Sequence, residues 1–346
     1  TVKKYNTLKF ISMHKTIIIA EAGPNHNGKL KLAFKLVDLA KRAGADFIKF
    51  QTSIPEEHIA VNAKKANYQL KNTRNNSTQL KMAKGMTLSF KQFEDLKKYC
   101  DKKKIKFLST AFGFRAINFL TKFKMEYNKI PSGEINNLVY LKKIGKLKKK
   151  VILSTGMSNL KEIATAIKVL TSNGTKKNNI TVLQCNTEYP TPLKDVNMKA
   201  MLTIKKKFKV NIGYSDHTNG IEAPIVAAAL GAKIIEKHIT TNRNLPGPDH
   251  KASITEKELK NLINQVRKVE IILGSDKKKP SRSEKKNLKV ARNSIVANFE
   301  IKKSERFTKK NLTIKRPGTG ISPMMYYKIL GKKAVKKFKK DEIIKL

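Results

Sequence analysis

Arginine and acidic residues are both scarce in this chain. Of its 74 basic side chains only nine are arginine, which leaves 65 lysines, and these face 26 acids, for a formal net charge of +48. Nucleic-acid readers usually gather their cations on one face or tail and use arginine for bidentate contacts. Here lysine runs through nearly every segment beside abundant Asn and Ile. That spread fits a compositional drift toward lysine better than a polyanion partner or a membrane surface, so nucleic acid is expected to bind nonspecifically if at all. Such a charge governs solubility and adhesion, says little about fold, and still draws in an acidic substrate.

Cysteine is nearly absent as well. Cys100 and Cys185 sit in unrelated contexts with no CxxC, which argues against a disulfide framework or a thiolate zinc site and fits a reduced, cytoplasmic setting. Long apolar runs are missing: residues 17–20 and 227–230 fall far below the roughly 18 needed to span a bilayer. No membrane partner is expected. Residues 1–12 are basic but lack the apolar core and cleavage site of a secretory signal, and 1–14 read as an N-terminal extension.

What is present is a globular composition, 40% apolar and 29% charged over 346 residues, long enough for one large domain and one small. Short β-branched runs alternate with helix-period segments, the pattern of βα units on a parallel sheet. Eight runs are expected as strands, at 16–20, 46–51, 105–110, 126–130, 151–155, 180–185, 210–214 and 233–239; amphipathic stretches such as 30–43, 160–170, 221–230 and 256–273 lie between or after them. Eight repeats in roughly 260 residues suit a (β/α)8 TIM barrel, an α/β fold. An open doubly wound sheet is the rival, but no run carries the GxGxxG turn of a dinucleotide site.

Polar residues collect at the C-terminal ends of these runs, where a barrel keeps its chemistry. Lys49 with Gln51, Ser215 with His217, and Glu236 with His238 are each two apart, so each pair projects to one face of its strand. One such Ser or Thr could simply cap the next helix. Eight polar strand ends together are harder to assign to capping. The barrel is expected to occupy 15–274, a Lys- and Ser-rich linker 275–290, and a small domain of turns and short strands 291–346. About 55 residues are marginal for independent stability.

His217 and His238 end neighbouring strands on inward parity and could meet one divalent cation, with Asp216, Glu236 and Asp249 nearby; two imidazoles leave coordination positions open. Lys49 and Lys129 interrupt apolar strands, where a bare ammonium is costly unless an anion meets it. The alternatives are pairing with Glu21, Glu134 or Glu236 for packing, or a Schiff-base lysine. With the hydroxyls of Thr110, Ser132, Ser154 and Ser215, the mouth offers one site for a phosphate and a carboxylate together.

Taken in order, Glu21-Ala-Gly-Pro-Asn-His-Asn-Gly28, Ile48-Lys-Phe-Gln-Thr52, Ser132-Gly-Glu134, Leu153-Ser-Thr-Gly-Met157, Cys185-Asn-Thr-Glu-Tyr-Pro-Thr-Pro192, Gly213-Tyr-Ser-Asp-His-Thr218, Ile235-Glu-Lys-His238 and Gly247-Pro-Asp-His-Lys-Ala-Ser253 resemble the sialic acid synthase family, whose members also make legionaminic and pseudaminic acids. The tail with Arg316-Pro-Gly-Thr-Gly320 looks like the family's C-terminal antifreeze-like (SAF) domain. The resemblance implies condensation of phosphoenolpyruvate with an N-acetylated hexosamine, N-acetylmannosamine or a diacetamido-trideoxyhexose, to a nine-carbon 2-keto acid and phosphate. It also implies a domain-swapped homodimer.

By motif position, Lys49, Thr110, Lys129, Ser132, Ser154 and Ser215 would hold phosphoenolpyruvate. His217 and His238 would hold a divalent metal, Mn2+ first, with Mg2+ or Co2+ as alternatives; Glu21, Gln51, Tyr189, Glu236, Asp249 and Arg316 would face the sugar. Glu21, Glu134 and Lys129 are the candidates for proton movement and catalysis. The order Cys185-Asn186-Thr187-Glu188 is a variant associated with the legionaminic branch and with some sialic enzymes. A barrel aldol synthase making 3-deoxy sugar acids is the nearest enzyme rival, and a lysine-rich nucleic-acid binder is the non-enzyme one.

Overall fold

The structure, a computed structural model, describes residues 15–346. The expected extension 1–14 lies outside the described residues. The chain divides into two compact units, the first ending at Gly274 and the second spanning Ser275–Leu346.

Eight strands make the first unit: β1 (Ile17–Glu21), β2 (Phe47–Ser53), β3 (Lys106–Phe112), β4 (Tyr127–Ile130), β5 (Lys150–Ser154), β6 (Ile180–Cys185), β7 (Asn211–Asp216) and β8 (Ile234–His238). All neighbours pair in parallel, and β8 closes on β1 with Ile17 opposite Ile234 and Glu21 opposite His238. That closure makes it the expected (β/α)8 barrel and removes the open sheet. Register then stacks the polar strand ends: Gln51 lies opposite Thr110, Thr110 opposite Lys129, and Ser215 opposite Glu236.

The outer helices form because their apolar residues recur at helical spacing. In Leu30–Ala43 the buried positions are Ala33, Leu36, Val37, Leu39, Ala40 and Ala43, and the helix stops at Gly44, whose φ of 89° lets its N–H reach back to the last carbonyls. Thr255 and Glu258 form the capping box that starts Glu256–Leu273, whose bounds the periodicity predicts. Gly213 on β7 is required by close approach: a Cβ there would lie 2.4 Å from the Ile234 carbonyl oxygen. None of the described helices is long and apolar enough to cross a membrane.

Two features depart from expectation. Between β2 and β3 the chain inserts two short helices, Asn67–Thr73 and Gln79–Met86, before the barrel helix Phe90–Lys102. In the second unit, the stretch expected as a linker holds a helix, Arg282–Ala291, begun by a capping box between Ser281 and Glu284. None of that helix's residues is buried. Its lysine-rich composition hides a good local start signal, which is why it reads as loop in the sequence. The second unit then pairs β9 (Ser294–Ala297) antiparallel with β10 (Leu312–Lys315), around a small core of Ile295, Ile301, Phe307, Leu312, Phe338 and Ile344.

Candidate active site

At the C-terminal ends of the barrel strands lies a cavity of about 450 Å³. Its lining includes Glu21, Lys49, Gln51, Thr110, Lys129, Ser132, Ser154, Tyr189, Ser215, His217, Glu236 and His238. Twelve positions chosen from sequence thus converge on one space. Glu134 and Asp249 line an adjoining cavity of about 390 Å³, which shares Gln51, Tyr68 and Tyr189 with the first. Arg316 is exposed in the second unit, just past β10.

The floor is ionic. Lys49 Nζ lies 2.7 Å from Glu21 Oε2 and 3.6 Å from Glu236 Oε2, while Lys129 Nζ donates to Glu236 Oε1 at 3.1 Å. All four groups are buried. The two lysines therefore already have partners, the packing alternative raised from the sequence, and two carboxylates balance two ammonium groups. Burial drives Glu21 above the usual carboxylate range even with Lys49 beside it. Burial also works to raise Glu236, but Lys129 and Lys49 together hold it down at about 2. Lys129 is lowered, chiefly by burial. One carboxyl is thereby suited to carry a proton and the other to stay ionised.

Ser215 Oγ donates to Glu236 Oε1 at 3.1 Å, and Lys49 Nζ to Thr110 Oγ1 at 3.2 Å. Ser154 Oγ is buried with no hydrogen-bond partner. A buried hydroxyl is seldom left so unless something is meant to meet it. Gly156 N–H donates to Ser132 Oγ at 3.0 Å, which ties the loop after β5 to the turn after β4.

The two histidines stand edge to face, ring centroids 5.2 Å apart. His217 Nδ1 faces the Asn186 carbonyl, an acceptor only, so that nitrogen carries the proton and Nε2 keeps its lone pair. Tyr189 O–H donates to Nε2 at 2.9 Å, its ring stacked on His217 at 4.0 Å. His238 Nδ1 is buried without a hydrogen-bond partner, 3.7 Å from Asp249 Oδ2. Burial lowers both imidazoles, His217 to about 4. Neutral rings are the form that ligates a divalent cation, so the donor set fits one, with the Tyr189 hydroxyl to be displaced from His217 Nε2. Among the described residues no group of three or more His, Cys, Asp or Glu side chains is arranged to hold a metal ion, so the two imidazoles stand as a pair. Gly23 makes room beside this pair, for at φ 50° a Cβ would sit 3.3 Å from both Glu21 Oε1 and His238 Cε1.

Asp216 does not join the histidines, although sequence proximity placed it near them. Strand alternation sends it to the outer face of β7, where Lys237 Nζ meets Oδ2 at 2.5 Å. Sequence reasoning also passed over Cys185, whose Sγ lies 3.8 Å from Ser132 Oγ and 3.9 Å from His217 Nδ1. Its inward parity on β6 was the available signal. Tyr68, Gln69 and Gln79, contributed by the β2–β3 insertion, also line the cavity, and no periodicity ties them to it.

Comparison with known proteins agrees with this geometry. The NeuB family pattern matches residues 36–278, and the SAF domain pattern matches 292–346. The chain is 52% identical over 333 residues to the N,N'-diacetyllegionaminic acid synthase of Campylobacter jejuni, covering 96% of this chain and 100% of that one. It is 41% identical to the N,N'-diacetyllegionaminic acid synthase of Legionella pneumophila, over 91% of this chain and 89% of that one. Among solved structures, the N-acetylneuraminic acid synthetase of Leptospira borgpetersenii in complex with citrate superposes with a TM-score of 0.71 at 36% identity, covering 80% of this chain and 91% of that one. The chain belongs to the NeuB family, the barrel enzymes that make sialic-type nonulosonic acids, and carries a C-terminal SAF domain.

Proposed function

We propose that the protein condenses phosphoenolpyruvate with a 2,4-diacetamido-2,4,6-trideoxyhexose to give N,N'-diacetyllegionaminic acid and phosphate. The carrying observation is the buried ionic floor with the unpartnered Ser154 hydroxyl, set against the imidazole pair in the same cavity. Similarity to two legionaminic acid synthases supports the choice of sugar.

In this reading Lys49, Lys129, Thr110, Ser132, Ser154 and Ser215 bind the phosphate and carboxylate of the enolpyruvate. The sugar's open-chain aldehyde lies toward His217 and His238, and its carbon chain runs past Gln51 and Tyr189 into the adjoining cavity with Glu134 and Asp249. A divalent ion held by the two histidines would supply Lewis-acid polarisation of the aldehyde.

The enolpyruvate C3 forms a bond to the aldehyde carbon, whose oxygen takes a proton. Water adds to the cationic C2 and gives up one proton; the resulting C2 hydroxyl then becomes the ketone, passing its remaining proton to the phosphate that leaves as the C2–O bond breaks. Glu21, raised by burial and next to Lys49, is placed to hold or release a proton on one side, and Glu134 on the other. Glu236 stays ionised and keeps both lysines aimed at the anion. Mn2+ as the ion, and Arg316 from a second copy reaching the sugar's acyl group in a domain-swapped homodimer, belong to the same reading.

The test incubates the full chain with phosphoenolpyruvate, Mn2+ and a panel containing the diacetamido-trideoxyhexoses of legionaminic and pseudaminic stereochemistry and N-acetylmannosamine. Phosphate release and product mass are read together. Release with the legionaminic precursor at a kcat/KM at least tenfold above the others is expected. Preference for another sugar would overturn the substrate assignment, and no release with any of them the whole reading. Equilibrium sedimentation and Arg316→Ala test the dimer: a monomer with unchanged KM for the sugar would remove that part.

A further inference from the structure

The outer faces of β7 and β8 carry a second polar constellation directly behind the histidines. Asp216 and Lys237 are register partners, both fully buried, under the helix Glu222–Ala229 that packs on these two strands. Each immediately precedes a histidine: Asp216 leads into His217, and Lys237 into His238.

Their hydrogen bonds enclose the backbone of His217. Thr218 N–H donates to Asp216 Oδ1 at 3.0 Å, and Thr218 Oγ1 donates to Asp216 Oδ2 at 3.1 Å, a tight turn with His217 at its centre. Lys237 Nζ donates to Asp216 Oδ2 and also to the Thr218 carbonyl, so β8 grips the peptide on the far side of His217. Tyr214 O–H adds a bond to Asp216 Oδ1 at 3.0 Å, and Thr191 N–H donates to the His217 carbonyl at 2.9 Å.

A buried ion pair is a poor source of stability, because the desolvation of two charges offsets most of their attraction. What it does well is exclude other arrangements, since any shift would leave a charge or a carbonyl without a partner. Here the arrangement it enforces is the separation of two imidazoles. We propose that Asp216 and Lys237 are positioning residues that hold His217 and His238 at the spacing a divalent cation requires. The inference rests on the metal reading of the histidine pair. It adds that the cation's affinity is set from the outer face of the sheet, by groups that never touch the ion.

The experiment measures Mn2+ binding by calorimetry on the full chain, with phosphoenolpyruvate binding in EDTA as the control. The charge-neutral double variant Asp216→Asn/Lys237→Met keeps the volumes and an amide oxygen that can still accept from the Tyr214 O–H and the Thr218 N–H, as Asp216 Oδ1 does. Thr218→Val, a milder change, removes only one hydroxyl of the turn. For the double variant a 10- to 100-fold loss of Mn2+ affinity is expected, in the range seen when groups behind a metal ligand are removed, with phosphoenolpyruvate affinity within twofold of the starting protein. Thr218→Val should lose several-fold. Mn2+ affinity within twofold of the starting protein in whichever variants fold would overturn the proposal, as would a loss that falls equally on both ligands. A starting protein that takes up no Mn2+ would overturn the metal reading itself, and this inference with it.

Discussion

Tyr189 occupies the lone pair of His217: its hydroxyl donates to Nε2 at 2.9 Å while its ring covers the imidazole. A cation approaching that nitrogen must displace the hydroxyl. One hydrogen bond is worth about 1 kcal/mol net, or roughly fivefold in affinity. Tyr189→Phe should therefore bind Mn2+ several-fold more tightly without substrates, by calorimetry. Unchanged or weaker binding would show that the hydroxyl does not compete.

Phosphoenolpyruvate brings negative charge to a floor whose two glutamates already match its two lysines. Glu21 is the group ready to yield, because burial has raised it and an arriving anion raises it further. Binding should be accompanied by net proton uptake, read as the dependence of binding enthalpy on buffer ionisation enthalpy. Glu21→Gln should remove most of that dependence. A buffer-independent enthalpy in the starting protein contradicts the assignment.

Ser154 Oγ is buried without a partner, so removing it breaks no bond in the ligand-free fold. Ser154→Ala should leave Tm unchanged or slightly higher. The KM for phosphoenolpyruvate should rise about tenfold, the worth of a hydrogen bond to a charged group. A lower Tm with unchanged KM would make the hydroxyl a structural one.

Lys129→Met keeps the stem's packing and removes the larger of the two lysine effects that hold Glu236 down. Turnover should fall by about a thousandfold or more, with far-ultraviolet circular dichroism retained at 25 °C. Undiminished turnover would remove Lys129 from the anion site.

His26 is buried in the loop after β1, and burial lowers it to about 4 from an ordinary 6.5. Its Nδ1 accepts the Gly28 N–H at 3.2 Å, a bond the protonated ring cannot make. The folded state binds this proton less readily than the unfolded one, so its contribution is complete above pH 6.5 and is lost as pH falls toward 4. The full loss is about 3 kcal/mol from a shift of this size. Denaturant titrations should show a shallower acid slope for His26→Gln over that window, and equal slopes would refute the assignment.

The barrel was legible because both of its signals are local. Eight β-branched runs mark the strands, and residues two apart, such as Ser215 and His217, report their own direction. The same alternation that brought Lys49, Glu236 and the histidines together also predicts that Asp216 turns away, a consequence that nearness in sequence obscured. Tyr68, Gln69 and Gln79 were not legible, because an insertion reaches the mouth through its tertiary path, with no period of its own to announce it. The helix Arg282–Ala291 was masked by lysine, though Ser281 and Glu284 carry its start signal at the right spacing.

The evenly matched floor assigns attraction and grip to two different devices. Because Glu21 and Glu236 offset Lys49 and Lys129, the surplus of +48 resides on side chains elsewhere, where it can hasten the arrival of an acidic metabolite and is blunted by salt. How firmly that metabolite is then gripped depends on hydroxyls and sheltered ions that salt scarcely reaches. A version with a lighter lysine load would meet its substrate less often and hold it just as well.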